Sequence, residues 1–579
     1  MDTIRQQTKL DPITLEVLRF GVVSITDQID ANITRTAFSP YVYEYKDFAV
    51  GLVDVDGHLV AQSTGGMPPF VADSVGTAVR DGLKIYGRER LFEGDVVVCN
   101  HSAVQGQHLN NTVMYTPIFA GTGEKTLIGF FAINVHWIDI GGVVSGHTTD
   151  IFMEGLQLRS IKLWSKGEPI EEVYRIIENN TRQPVDLMGD ISAQLAGCLL
   201  GRDLTIALAN RYGVDTFLTA IGIILDQSEA ASRAAIRAMP DGVYEAETFL
   251  DNDTVTDVPV PIRCKVIVAG DELTIDFTDI ADEAAGNINS GYYGGGMTAA
   301  RCAFKYLVMP REPANEGVYR PLKLILPEGK IISARPGSPM GGYPFPLPSV
   351  MDCVIHALER AVPDQVTGAH FGTHSGFMVH GRRADGSRFL GHDSGHGGWG
   401  AGSTNDGAGP FRTMAHGDTR LIPMELQETI LPFRVDSLEL RADSGGAGKF
   451  RGGLGFRKKY VILAPCLLQT NVDRTKFPPW GVQGGKEAKA GRVTLYKTDG
   501  TTEIISKVKN YKLVPGDVVV LETGGGGGWG CAVGSFARVD PPRPDAGLHH
   551  PGRCRTRLRR TDHGRRGRPK IRRDAARFR

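Results

Sequence analysis

The sequence predicts a mixed α+β chain in three parts. Residues 1–240 form an α/β region with a helical segment and a candidate metal site, residues 241–530 a β-rich and Gly-rich region, and residues 531–579 a basic tail. Three observations predict this. Apolar residues recur at helical spacing near the N-terminus and again across 169–238. Short apolar runs bounded by turn residues mark strands between and after those stretches. The 72 glycines among 579 residues call for many tight turns and close backbone approaches.

Asp11-Pro12 precedes apolar residues at Leu15, Leu18, Val22, Ile25, Ile29 and Ile33, so a helix is predicted to about Thr36. Phe48 to Val53 and His58 to Gln62 flank Asp56-Gly57 and read as a hairpin. Residues 72–86 read as a helix, Gly94 to Asn100 as a buried strand and Leu127 to His136 as a longer one. Three helical stretches follow over 169–238, broken near Pro184 and Gly213. After Gly242 turns and strands dominate, with helices near 296–308 and 348–361. The run Gly524 to Gly528 reads as a bend between strands.

The formal charge of zero hides an asymmetry. Residues 531–579 hold 15 Lys/Arg against 4 Asp/Glu, which leaves 50 basic and 61 acidic residues before them. An acidic body repels a nucleic-acid backbone, so nucleic acid is not an expected partner. The tail cannot bury enough surface to offset its ordering entropy; it reads as a disordered basic extension, an out-of-frame stretch or, least favoured, a nucleic-acid arm. The eight cysteines form no CxxC pair and read as reduced core thiols. The N-terminus lacks an apolar leader, and Leu127 to Ile138 falls short of the ~20 residues of a membrane helix. A cytoplasmic protein without a membrane partner is therefore expected.

His136-Trp137-Ile138-Asp139 follows a buried strand and precedes Gly141-Gly142. If the chain bends at 137–139, an imidazole and a carboxylate converge as ligands suited to Zn or Mn. His108 would join them from its loop if strands 94–100 and 127–136 are neighbours, and Asp47 is a further candidate. The competing reading makes each an ordinary hydrogen-bonded loop residue. His147 is a candidate proton carrier, because imidazole titrates near neutrality. His370, His374, His392, His396 and His416 match no metal spacing; they either line a pocket or decorate β-turns, and the latter is the preferred reading. A phosphate loop, Gly-x-x-x-x-Gly-Lys-Ser/Thr, is absent: at Gly448-Lys449 the next residue is Phe450.

These residues sit in motifs that resemble the hydantoinase B / oxoprolinase family over about residues 10–530. The motifs are Lys46-Asp47-Phe48, Val53 to Gln62, Gly94-Asp95 through His108-Leu109, and His136 to Gly142. Later come Glu154-Gly155, Asn315-Glu316-Gly317, Gly397 to Ala401 and Asp443 to Gly453. The resemblance implies a partner, a hydantoinase A-like subunit that binds ATP and Mg, while this chain binds a small carbonyl substrate and a divalent metal. Carried over by motif, His108, His136, Asp139 and Asp47 would hold the metal; His147, in a segment that departs from the family's Pro-Gly-Ser, is the general base of the expected mechanism on its own chemistry. The reaction implied is ATP-driven opening of a cyclic amide such as a hydantoin, 5-oxoproline or a lactam. Ketone carboxylation and a non-catalytic scaffold are the alternatives. One departure bears on the site: relatives with His-Leu-x-Asp have an acid where this chain has Asn111.

Overall fold

The computed structural model describes residues 10–144 and 148–532. Asp11 caps the first helix, Pro12–Thr36, accepting from the Thr14 amide at 2.9 Å, and Pro12 starts it with a pre-set φ. The predicted breaks in the second helical stretch are where the sequence put them. Helices Glu171–Glu178, Pro184–Tyr212 and Val214–Arg237 are separated at Pro184 and at Gly213, whose φ of 89° is open to glycine.

The N-terminal sheet has seven strands, all paired antiparallel: Leu59–Gln62, Phe48–Val53, Thr126–His136, Asn111–Ala120, Val96–Cys99, Ile161–Ser165 and Glu168–Pro169. Successive side chains of Thr126–His136 alternate between two apolar cores. Phe131, Ile133 and Val135 pack with helices Pro12–Thr36 and Pro184–Tyr212, whereas Phe130 and Ala132 pack with helix Val75–Tyr86. Burial on both faces explains why this strand reads as a continuous apolar run.

One expectation is corrected here. Strands 96–99 and 126–136 are not neighbours, because Asn111–Ala120 lies between them. That strand carries Asn111, Thr112 and Thr116 in its buried length and Pro117 in its interior, features that mask a strand in the sequence. Pro117 is tolerated because Val96–Cys99 pairs only as far as Tyr115.

Among the described residues, helix Pro184–Tyr212 is long and apolar enough by composition to cross a membrane. One face of it packs on the N-terminal sheet. Gly197 and Gly201 bring it onto the sheet, and a Cβ at Gly201 would sit 2.2 Å from the Phe131 ring.

The later chain builds three more sheets. Gly242–Leu250, Val260–Ala269, Glu272–Asp276 and Leu322–Ile325 make a four-stranded sheet beside helices Thr298–Val308 and Leu347–Ala357. A four-stranded sheet containing Gly376–Arg382, Arg388–Ser394 and Cys466–Asn471 faces a five-stranded sheet containing Phe456–Ile462 and Val518–Glu522. The two share one apolar core, in which Phe377 stacks on Tyr460 at 4.1 Å.

The run Gly524 to Gly528 is buried, threaded among other loops by backbone hydrogen bonds to Gly398, Gly453, Ala369 and Lys486. A Cβ on Gly527 would lie 1.7 Å from the Trp480 carbonyl, so only glycine fits there. The large apolar cluster continues from Leu15 to Val482 across position 240, which separates helix Val214–Arg237 from strand Gly242–Leu250. The tail from residue 533 lies outside the described residues.

Candidate active site

A cavity of about 240 Å³ opens where the N-terminal sheet meets the later sandwich. Asp47, His108, His136 and Asp139 all line it. His136 ends strand Thr126–His136 and stands opposite Asn111, the first residue of the neighbouring strand. His108 lies three residues before Asn111, whose amide N–H bonds the His108 carbonyl at 3.2 Å. Strand pairing therefore brings the two imidazoles together, with ring centroids 4.9 Å apart.

Asn111 sets their geometry. Its Nδ2 donates to Gln107 Oε1 and to Tyr343 Oη, both at 2.9 Å, which fixes the amide orientation and turns Oδ1 towards the histidines. Oδ1 lies 2.8 Å from His108 Nε2 and 3.1 Å from His136 Nδ1. Glu154 steadies the loop that carries Tyr343, its Oε1 accepting from the amides of Met340 and Gly341 at 3.0 and 2.8 Å.

Asp47 precedes strand Phe48–Val53, and its carbonyl accepts from the His136 amide at 3.0 Å. Its Oδ2 lies 3.8 Å from His136 Nδ1, and its Oδ1 is buried without a hydrogen-bond partner. Burial pushes the Asp47 carboxyl up to about 7, with Arg412 opposing the shift. Burial also pulls His108 down to about 4 and His136 well below the usual range, so both imidazoles are neutral.

Asp139 has a different partner. It is buried beside Arg182, whose Nε lies 3.1 Å from both carboxylate oxygens, and Thr181 Oγ1 adds a bond at 3.3 Å. The structure thus brings Asp47, His108 and His136 together with Asn111, while the Asp139 carboxylate is held in an ion pair. His147, the expected general base, lies outside the described residues.

Imidazole nitrogens, an amide oxygen and a carboxylate are donor types that Zn or Mn accepts; here Asp47 Oδ2 stands 3.8 Å from His136 Nδ1, while Asp47 and His108 are not gathered into one ligand-distance cluster with His136. A separate trio, Asp54, Asp56 and His58, lies on the turn of the first hairpin. There Asp54 accepts from the amides of Asp56 and His58, both at 2.9 Å, so the turn's own bonds account for that cluster.

On the opposite wall the less favoured sequence reading holds. His374, His392 and His416 line the same cavity instead of decorating turns. His374 Nδ1 is 2.8 Å from His416 Nε2, and the His374 ring stacks on His392 at 5.6 Å with 5° between planes. Tyr41 stacks on the other side of His392 at 5.4 Å. These histidines come from a loop, a strand and a short turn, so no sequence spacing announces them. His370 is instead paired with Asp352 at 2.8 Å, and His396 is buried with Nε2 unpartnered.

A sequence profile of the family described as hydantoinase B/oxoprolinase matches residues 11–532. Caprolactamase subunit beta of Pseudomonas jessenii is 30% identical over 548 residues, spanning 90% of this chain and 91% of that one. The crystal structure of ATP-dependent caprolactamase from the same organism matches with a TM-score of 0.80 at 27% identity, covering 90% of this chain and 92% of that one. 5-Oxoprolinase of Dictyostelium discoideum is 27% identical over 534 residues, 90% of this chain but 40% of that longer protein. Nucleotide-free acetone carboxylase shares the fold, with a TM-score of 0.81 at 18% identity over 90% of this chain and 76% of that one.

Proposed function

The chain belongs to the hydantoinase B/oxoprolinase family, and from that premise we propose that it is the carbonyl-substrate subunit of a two-component, ATP-dependent enzyme that opens a cyclic amide. The observation that carries this reading is the convergence of His108 Nε2 and His136 Nδ1 on Asn111 Oδ1 beside the buried Asp47. His108, His136, Asn111 and Asp47 would hold a divalent metal, with Asp139 as an anchor rather than a ligand. A bound Zn or Mn supplies Lewis acidity towards a carbonyl oxygen.

The residues of this chain do the rest. Ile138, Phe345, Met378 and Leu390 give the cavity apolar walls that fit the hydrocarbon part of a ring. Glu154 and Tyr343 keep Asn111 oriented. Unstrained amides are poor electrophiles, so activation by ATP fits this substrate class. The sequence carries no phosphate-loop motif, which fits ATP and Mg being bound by a hydantoinase A-like partner.

Co-expression with such a partner, followed by an ADP-release screen over hydantoins, 5-oxoproline, lactams and ketones with and without bicarbonate, tests the proposal. Release driven by a cyclic amide and indifferent to bicarbonate is expected. Release that requires a ketone and bicarbonate would instead make the chain a carboxylase subunit. Silence with every substrate would leave a binding scaffold.

A further inference from the structure

The histidine wall facing the candidate metal ligands is built for negative charge, an inference that rests on reading the cavity as a carbonyl-substrate site. Arg412 is 1% exposed, yet no carboxylate lies within ion-pair distance of it among the described residues. Its N–H groups are all directed. Nε donates to Thr419 Oγ1 at 3.2 Å, and Nη1 to the carbonyls of Gly395 and His374 at 2.9 and 3.4 Å. Nη2 donates to Tyr45 Oη at 2.6 Å and to His374 Nδ1 at 3.1 Å.

A guanidinium has no lone pair to offer, so the 3.1 Å contact from Arg412 Nη2 favours the tautomer in which His374 Nδ1 accepts and carries no proton. In that tautomer His416 Nε2, 2.8 Å from the same atom, shares the one Nδ1 lone pair as a second donor, and Thr413 Oγ1, 2.6 Å from His416 Nδ1, is placed to donate to it. Burial, and after it Arg412, holds both imidazoles well below their usual range, so both are neutral. A neutral imidazole with a bare Nδ1 has its proton on Nε2. No described hydrogen bond uses His374 Nε2, and the ring lines the cavity, stacked on His392 with Phe345 5.5 Å away. A cation is unwelcome here, since the Nδ1 lone pair is already engaged and a guanidinium stands behind it. Asp47 feels the Arg412 charge, but burial pushes its carboxyl up to about 7, so it offsets that charge only in part and the wall keeps positive potential for a developing negative charge.

We propose that His374 is a catalytic residue whose Nε2–H donates a hydrogen bond to the substrate's carbonyl oxygen and to the negative charge that gathers there as the carbonyl carbon is attacked. Arg412 is a positioning residue that fixes the tautomer and supplies positive potential behind the ring. No proton leaves His374 in this role. A fixed donor aimed at a developing oxyanion stabilises the transition state more than the bound substrate.

Two readouts test this on the full chain with its ATP-binding partner. In ¹⁵N-histidine NMR, the signal that disappears in His374→Gln should belong to a neutral ring protonated at Nε2, and Arg412→Lys should disturb it. In turnover with a cyclic amide, His374→Phe should lower kcat about 100-fold with little change in KM, whereas His374→Gln, which restores an N–H donor, should stay within about 10-fold of the parent. A ring protonated at Nδ1, a charged ring, or a His374→Phe variant as active as the parent would overturn the proposal. An unmutated complex silent on every carbonyl substrate would instead remove the functional reading beneath it, and the NMR signal would report the tautomer alone.

Discussion

Asn111 and Asp139 divide the work at the candidate metal site in a way their residue types do not announce. Asp139 has the charge of a ligand but spends it on Arg182. Asn111 has no charge, yet its oxygen touches both histidines. Two substitutions separate these roles. Asp139→Asn should leave the metal content of the purified chain unchanged while lowering its stability by about 1–3 kcal/mol, the cost of a weakened charged hydrogen-bond network around a partly exposed arginine, read by urea unfolding. Loss of the metal in that variant would make Asp139 a ligand after all. Asn111→Asp should tighten metal retention against a chelator by ~10-fold or more, because a full charge replaces a dipole at bonding distance in a medium less polar than water. Unchanged or weaker retention would move the site elsewhere. Of this arrangement, Asp47, His108 and His136 were legible in the sequence as motif residues. Asn111 was legible only as a missing acid, since its importance comes from the register that sets it opposite His136.

Between elements, one cross-sheet tie stands out. Asp393 on strand Arg388–Ser394 accepts from Lys458 Nζ at 2.5 Å and Tyr460 Oη at 2.8 Å, both on strand Phe456–Ile462, and all three residues are buried. Burial alone would raise the Asp393 carboxyl, but Lys458 and these hydrogen bonds outweigh it and leave the group below its ordinary value. A depressed carboxyl contributes stability that is complete above its unfolded value, near pH ~4, and is lost as pH falls towards the folded value. Acid unfolding of Asp393→Asn should therefore show a shallower loss of stability below pH ~4 than the parent, together with lower stability at neutral pH; identical pH slopes would contradict the tie. Such pairs are invisible in sequence, because Asp393 and Lys458 are 65 positions apart. The helices, by contrast, were legible to within a few residues, since Asp11, Pro12, Pro184 and Gly213 act locally on the backbone. Strand Asn111–Ala120 was not legible, because its polar start and Pro117 break the period that a strand normally prints.

Across the whole molecule, the cavity joins chain segments hundreds of positions apart. The early sheet contributes Asp47, His108, Asn111 and His136, and the later sandwich contributes His374, His392 and His416 with Arg412 behind them. Tyr41 stacked on His392, and Tyr45 bonded to both Arg412 and Ser394, tie the two walls together. In the proposed mechanism one wall would hold a cation and the other would face a developing anion, so a carbonyl between them would be polarised from both sides. The most direct test of this division is anomalous X-ray diffraction at the zinc and manganese edges from crystals of the purified chain. A single peak bonded to His108 Nε2, His136 Nδ1 and Asn111 Oδ1, with Asp47 beside it and nothing at His374, is the predicted result. A peak on the Asp54–His58 turn or among His374, His392 and His416, with none between His108 and His136, would contradict it.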